Sequence, residues 1–199
     1  NDGAAEAALA AYPGGLQVGG GITADNAAGW LETGAAKVIV TSFAFREGRV
    51  CWERIRELER AVGRTRLVLD LSCRRKGEEY YVVTDRWQRF TSVPIRPEAL
   101  ADLAEHCSEF LVHGVDVEGK QQGVDEELVR RLGAWTPIPA TYAGGIRSSD
   151  DLETVRDLGQ KRLDVTVGSA LDIFGGTGLT YRAMVDLDRR WRAEETESV

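Results

Sequence analysis

Leu16-Gln17-Val18-Gly19-Gly20-Gly21-Ile22 and Tyr142-Ala143-Gly144-Gly145-Ile146 decide the reading of this chain, because the same sequence of features follows each. After the first come Asp25-Asn26, a helical pattern and Val38-Ile39-Val40-Thr41-Ser42. After the second come Asp150-Asp151, another helical pattern and Val165-Thr166-Val167-Gly168-Ser169. Each copy is an apolar strand, a glycine turn, a helix opened by acidic or amide residues, a second apolar strand and a small hydroxyl residue. One βαβ unit is therefore used twice. Glycine in a strand-to-helix turn lets backbone N–H groups approach an anion, and the helix N-terminus adds the positive end of its dipole. Two copies imply two phosphate sites.

Outward from these copies, residues 4–12 are alanine-rich and helical, and Pro13-Gly14-Gly15 stops them. Residues 16–18 read as a short buried strand. Thr23 or Asp25 caps a helix that runs to about Thr33, with Gly34 as its stop. Residues 37–42 form a continuous apolar strand of the kind buried on both faces. Residues 49–61 read as an amphipathic helix with Trp52, Ile55, Leu58 and Val62 on one side, ended by Gly63. The next strand, 66–71, holds Asp70 inside the apolar run Leu67-Val68-Leu69-Asp70-Leu71, where a carboxylate is costly unless it is paired or used. A β-hairpin excursion carrying Trp87 and Phe90 follows, then a helix over 97–107. Residues 110–119 are a strand running into a polar loop that holds Asp116 and Glu118. A helix capped by Asp125 spans 125–132, and a last helix covers 181–192 before a polar tail that frays from Glu194.

Strand and helix alternate about six times, which predicts a parallel α/β architecture. Apolar strands whose polar residues gather at their ends predict a (β/α)8 barrel with its site at the C-terminal strand ends. The competing open doubly wound sheet would carry G-x-G-x-x-G, and Gly19-Gly20-Gly21-Ile22-Thr23-Ala24 has no third glycine in register. At 199 residues and 43% hydrophobic, the chain suits a single domain over 1–199. A net charge of −7 and a pI of about 5.0 give no basic field for nucleic acid, and no apolar run is long enough to cross a membrane. Cys51, Cys73 and Cys107 are odd in number and read as reduced core thiols. With two histidines and no Cys-x-x-Cys, no metal site is expected.

Residues 16–22, 66–74 (RLVLDLSCR), 85–88 (DRWQ), 110–119 (FLVHGVDVEG), 142–146 and 165–176 (VTVGSALDIFGG) together resemble the histidine-biosynthesis isomerase family HisA, closest to its plant and fungal branch. The resemblance implies a (β/α)8 barrel of two similar half-barrels acting on a small-molecule bisphosphate. The reaction is an Amadori rearrangement of an aminoaldose to an aminoketose without a cofactor: one carboxylic acid protonates the ribose ring oxygen, and a carboxylate takes the C2′ proton. It places one phosphate on Gly20, Gly21 and Ser42 and the other on Gly144, Gly145, Gly168 and Ser169. Asp70 becomes the acid. Trp87 either stacks on the substrate's imidazole or covers the core, and His113 is either a ligand contact or a core histidine. Glu118 lies near the ribose or faces water, and Arg74 pairs with a carboxylate or faces water.

The departure is at the start. The family carries its general-base aspartate on the first barrel strand, and that strand, the first helix and the second strand have no counterpart here. Residues 1–12 match the helix after strand two. The chain is expected to be an inactive fragment, about three quarters of a barrel that is a monomer when complete. Its parent would sit in the chloroplast of a plant, or otherwise in the cytoplasm. Two alternatives are the sister cyclase of the same pathway and a catalytically inactive phosphate-binding module.

Overall fold

In the computed structural model, which describes residues 2–117 and 123–197, the alternation of strand and helix holds along the chain. The first copy of the repeat comprises β1 (Gln17–Gly19), α2 (Ala27–Glu32) and β2 (Lys37–Val40), preceded by α1 (Asp2–Ala11). A 3-10 turn then leads into a small antiparallel hairpin, β3 (Phe45–Arg46) and β4 (Arg49–Val50), and on into α3 (Trp52–Val62). Next come β5 (Leu67–Asp70) and an antiparallel excursion of β6 (Cys73–Lys76), β7 (Glu79–Thr84) and β8 (Arg89–Pro94). The main path resumes with α4 (Pro97–Ala104), β9 (Glu109–His113) and α5 (Glu126–Trp135). The second copy, β10 (Ala140–Ala143), α6 (Ser149–Leu158) and β11 (Leu163–Thr166), is followed by α7 (Tyr181–Glu197).

Among the described residues, six strands form one parallel sheet in the order β1-β2-β5-β9-β10-β11. Val38, Val40, Leu67, Leu69, Phe110, Val112, Ala140 and Tyr142 make one face and are almost wholly buried with the helices' apolar residues, among them Ile55, Leu58, Leu128, Leu132 and Val155. The other face curls in on itself. Glu109 of β9 accepts hydrogen bonds from Gln17 of β1 (2.9 Å), Lys37 of β2 (2.9 Å) and Thr141 of β10 (3.1 Å). A flat sheet would hold β1 and β9, three strand spacings apart, at roughly 14 Å. Only a curled sheet lets these side chains meet, and interior layers contributed by several strands are the signature of a barrel wall. The fold class is therefore the α/β barrel.

Several local expectations change. β1 lies at the sheet edge, so Gln17 and Gly19 are exposed and the strand is not buried. β2 stops at Val40 and alternates half-buried and buried positions, because one of its faces looks into the barrel; Ser42 lies in the 3-10 turn beyond it. Arg49 and Val50 pair with Arg46 and Phe45, which delays α3 to Trp52. Helix α2 takes neither Thr23 nor Asp25 as its cap. The position before it is Asn26, whose Oδ1 accepts from the Thr23 backbone and whose Nδ2 donates to the Gly21 carbonyl. The excursion after β5 has three strands where a hairpin was expected. α4 ends at Ala104, α5 extends to Trp135, and α7 runs as helix past Glu194 to Glu197, with Arg192–Asp188 and Arg156–Glu194 pairs along it. Asp125 does cap α5, accepting from the Leu128 backbone at 3.1 Å. All three cysteines are free thiols, Cys73 and Cys107 buried and Cys51 half-buried.

Candidate active site

Parallel register brings the polar residues to one end of the sheet. Gly19 lies opposite Ile39, so the Gly20-Gly21 turn runs beside the segment leading to Ser42. Ala143 lies opposite Thr166, so the Gly144-Gly145 turn runs beside the segment leading to Gly168 and Ser169. Between these two turns stand the ends of β5 and β9, with Asp70 and His113 as their last residues.

Asp70 is 8% exposed. Its Oδ1 accepts from the Ser72 backbone N–H at 2.9 Å and from the Ser72 hydroxyl at 2.8 Å, and His113 Nδ1 lies 3.2 Å from the same oxygen. The Trp87 ring sits 6.3 Å from the His113 ring, tilted by 39°. Trp87 is 40% exposed, so it does not serve as a lid on the core. It ends a run of three non-glycine residues in the left-handed region, Asp85, Arg86 and Trp87, with φ of 53°, 56° and 68°. Such backbone is costly for L-residues and persists only where its surroundings over-determine it.

Arg74 is paired: its Nε donates to Asp116 Oδ1 at 3.1 Å, and its guanidinium lies 5.6 Å from the centre of the Phe90 ring. The other oxygen of Asp116 accepts from the Arg75 backbone at 2.9 Å. Asp116 is thereby committed to holding β6 against the loop after β9. The second glycine turn is tightly enclosed. Gly144 and Gly145 have φ of 135° and 73°, and a Cβ on Gly145 would stand 2.0 Å from the Gly123 carbonyl oxygen. Ser148 and Asp151 form a capping box at the start of α6, with the Asp151 carboxylate accepting from the backbones of Arg147 and Ser148. The surroundings of Gly168 are open. Glu118 lies outside the described residues.

Behind Asp70 the chemistry is quiet. Burial pushes the Cys73 thiol well up, and the charges of Asp125, Asp116 and Asp70 add to that, so it is a neutral thiol and no nucleophile. The Tyr80 hydroxyl donates to Asp125 at 2.7 Å, and burial followed by that bond raises it above the ordinary phenol range. Tyr142 Oη accepts from the Asp125 backbone at 2.9 Å. Among the described residues no group of three or more His, Cys, Asp and Glu side chains could hold a metal. The residue that sequence reasoning passed over is Ser72. Its signal was available: an aspartate at a strand end readily accepts from the backbone N–H two residues on, which brings a hydroxyl at that position to the same carboxylate.

A curled parallel sheet whose strand ends gather an acid, a histidine and an exposed tryptophan between two glycine turns has the layout of an α/β-barrel enzyme. The family described as histidine biosynthesis protein matches residues 3–176, and the chain belongs to it. It is 55% identical over 192 residues to the chloroplastic 1-(5-phosphoribosyl)-5-((5-phosphoribosylamino)methylideneamino)imidazole-4-carboxamide isomerase of Medicago truncatula, covering 96% of this chain and 60% of that protein. The isomerase of the same name from Neurospora crassa is 48% identical over 193 residues, covering 96% and 75%. That of Saccharomyces cerevisiae is 43% identical over 182 residues, covering 88% and 69%. The chain thus spans between three fifths and three quarters of the length of these relatives.

Proposed function

We propose that the chain carries the isomerase chemistry for which these relatives are named, the Amadori rearrangement of a bisphosphorylated aminoaldose into its aminoketose. The observation that carries the reading is Asp70, a buried carboxyl group at the end of β5, placed between two glycine turns. In this reading Asp70 protonates the ribose ring oxygen as the bond from that oxygen to C1′ breaks, and the nitrogen lone pair forms the C=N bond. A base then takes the C2′ proton, and the enaminol so formed tautomerises to the ketone. The rearrangement is redox-neutral overall and requires no cofactor. Gly20, Gly21 and Ser42 hold one phosphate, and Gly144, Gly145, Gly168 and Ser169 the other, through backbone N–H groups and hydroxyls. Trp87 stacks on the imidazole. Arg74 acts indirectly, by fixing Asp116 and the excursion. Asp116 is a poor candidate for the base, since both its oxygens are engaged. By family resemblance that base belongs to a first barrel strand. For a plant protein the compartment would be the chloroplast, as for the Medicago relative.

The test is turnover of the aminoaldose by this chain alone and by the chain mixed with a polypeptide supplying a relative's first strand, first helix and second strand. Turnover only in the mixture, reduced about 100-fold or more by Asp70→Asn, is the expected result. Turnover by the chain alone would put the base among these 199 residues. No turnover in either, from a folded protein, would overturn the reading in favour of a binding module. Ammonia-dependent consumption of the aminoketose, with none of the aminoaldose, would favour the sister cyclase.

A further inference from the structure

Three potential donors converge on a single oxygen of Asp70. The backbone N–H and hydroxyl of Ser72 reach Oδ1 at 2.9 and 2.8 Å, and His113 Nδ1 approaches it at 3.2 Å. None of these bonds uses Oδ2. A carboxyl group tied in this way has its plane fixed and its two oxygens made inequivalent. We infer that Ser72 and His113 are positioning residues for Asp70, holding Oδ1 so that Oδ2 is the oxygen that delivers the proton. The inference rests on the acid role assigned to Asp70 above.

The chemistry asks for such an arrangement. While Asp70 is neutral, its proton sits on Oδ2, and Oδ1 is a carbonyl oxygen accepting the three bonds. As the proton passes to the ribose ring oxygen, a negative charge appears on the carboxylate, and donors already aimed at Oδ1 meet it without rearrangement. His113 can do this as the neutral ring carrying its proton on Nδ1. Trp87, packed obliquely against the His113 ring, limits its rotation. Among the described residues, the neighbouring Cys73 is held neutral and Asp116 is paired by Arg74. Neither supplies an alternative proton to Oδ1. In this inference His113 works through Asp70, a role distinct from both the ligand contact and the core histidine weighed from its place near the strand end.

The chain offers its own control, because it has only two histidines. His106 also turns its Nδ1 to a carboxylate, Glu59, at 2.9 Å, far along the chain from Asp70. Nitrogen-15 long-range correlation spectra at neutral pH read the tautomer of each ring. The expected result is an Nδ1–H tautomer for His113 in the wild-type chain, lost in Asp70→Ala while His106 is unchanged. An Nε2–H tautomer in the wild type, or one that ignores Asp70→Ala, would overturn the inference. If Asp70→Ala does not fold, the wild-type spectrum alone decides. This measurement needs no turnover, so it stands apart from the test of the proposed function. In the complemented enzyme, His113→Ala and Ser72→Ala should each lower kcat, by up to about 100-fold for a misplaced acid, with KM little changed. His113→Gln, whose amide N–H can donate to Oδ1, should restore part of that loss. A raised KM at unchanged kcat in His113→Ala would instead place the ring on the substrate and sink the positioning role.

Discussion

The two Gly-Gly-Ile turns share a sequence pattern and a backbone conformation, yet they sit in opposite environments. Gly20 and Gly21 have φ of 102° and 67°, and a Cβ on either would meet nothing within 4 Å. Gly144 and Gly145 repeat the positive φ, but a Cβ on Gly144 would lie 2.9 Å from the Gly114 carbonyl and one on Gly145 2.0 Å from that of Gly123. The helices differ in the same direction. α2 has six residues and no side-chain cap, whereas α6 has ten and a complete capping box. Position in the sheet goes with the contrast: among the described residues β1 has a strand on one side, and β10 has strands on both. The repeat encodes the turn, and its surroundings determine how firmly the turn is held.

The largest expected effect comes from adding one methyl group at equivalent sites. Gly21→Ala imposes a left-handed alanine in open space, which costs about 1–2 kcal/mol. Gly145→Ala imposes the same conformation and also forces a neighbouring loop carbonyl aside, adding about 1–3 kcal/mol of overpacking. Urea unfolding midpoints of the two variants measure the difference. Equal losses would mean that backbone conformation alone governs both turns and that the contrast in packing is irrelevant to stability.

A smaller difference is expected at the helix starts. Asp151 is 8% exposed and accepts from the Arg147 and Ser148 backbones and from the Ser148 hydroxyl. Asp151→Ala should therefore cost about 1–2 kcal/mol. Asn26 makes exposed bonds to Thr23 and Gly21 that tie the turn without capping the helix, and Asn26→Ala should cost about 0.5 kcal/mol. The same denaturation series ranks them. An Asn26 loss as large as that of Asp151 would show that the first turn is held as tightly as the second.

The contrast also marks what a sequence can reveal. The repeat, the alternation and Asp70 were legible, because glycine turns, apolar runs and a carboxylate inside such a run are local signals. Burial of β1 was not, since Leu16-Gln17-Val18 reads as a core strand until its place at the sheet edge is known. The β3–β4 hairpin was hidden because Arg49 and Val50 also fit the periodicity of α3. The left-handed run at 85–87 contains no glycine, so its conformation is set by the closure of β7 onto β8 and not by residue type. The meeting of His113 with Asp70 depends on β9 lying beside β5, with Asp70 opposite Leu111. Strand order joins residues 43 positions apart, and no local pattern reports it.

The smallest expected effect concerns what lies over the second copy and not the first. Arg156 of α6 reaches Glu194 of α7 and also stands 4.8 Å over the Trp191 ring, so the second copy's helix clamps the last turns of the chain. Hydrogen bonding to Arg156, followed by its charge, holds the Glu194 carboxyl below its ordinary value of 4.5. A depressed carboxyl pKa gives a tie that is fully present above the unfolded value and is lost as pH falls through the lower, folded one. Backbone amide exchange in the last turns of α7 should therefore accelerate as pH falls below 4.5, beyond the intrinsic pH dependence of exchange, while α2 shows no matching step. Glu194 is solvent-exposed although the Arg156 side chain is mostly covered, so the pair's contribution is small and should shrink further in high salt. Glu194→Gln removes the titrating group and should abolish the step while leaving the Arg156–Trp191 contact in place. Persistence of the step in Glu194→Gln would assign the loosening to another carboxylate and separate the holding of α7 from α6. Its disappearance would extend the asymmetry between the two copies from their turns and caps to the helix packed over one of them.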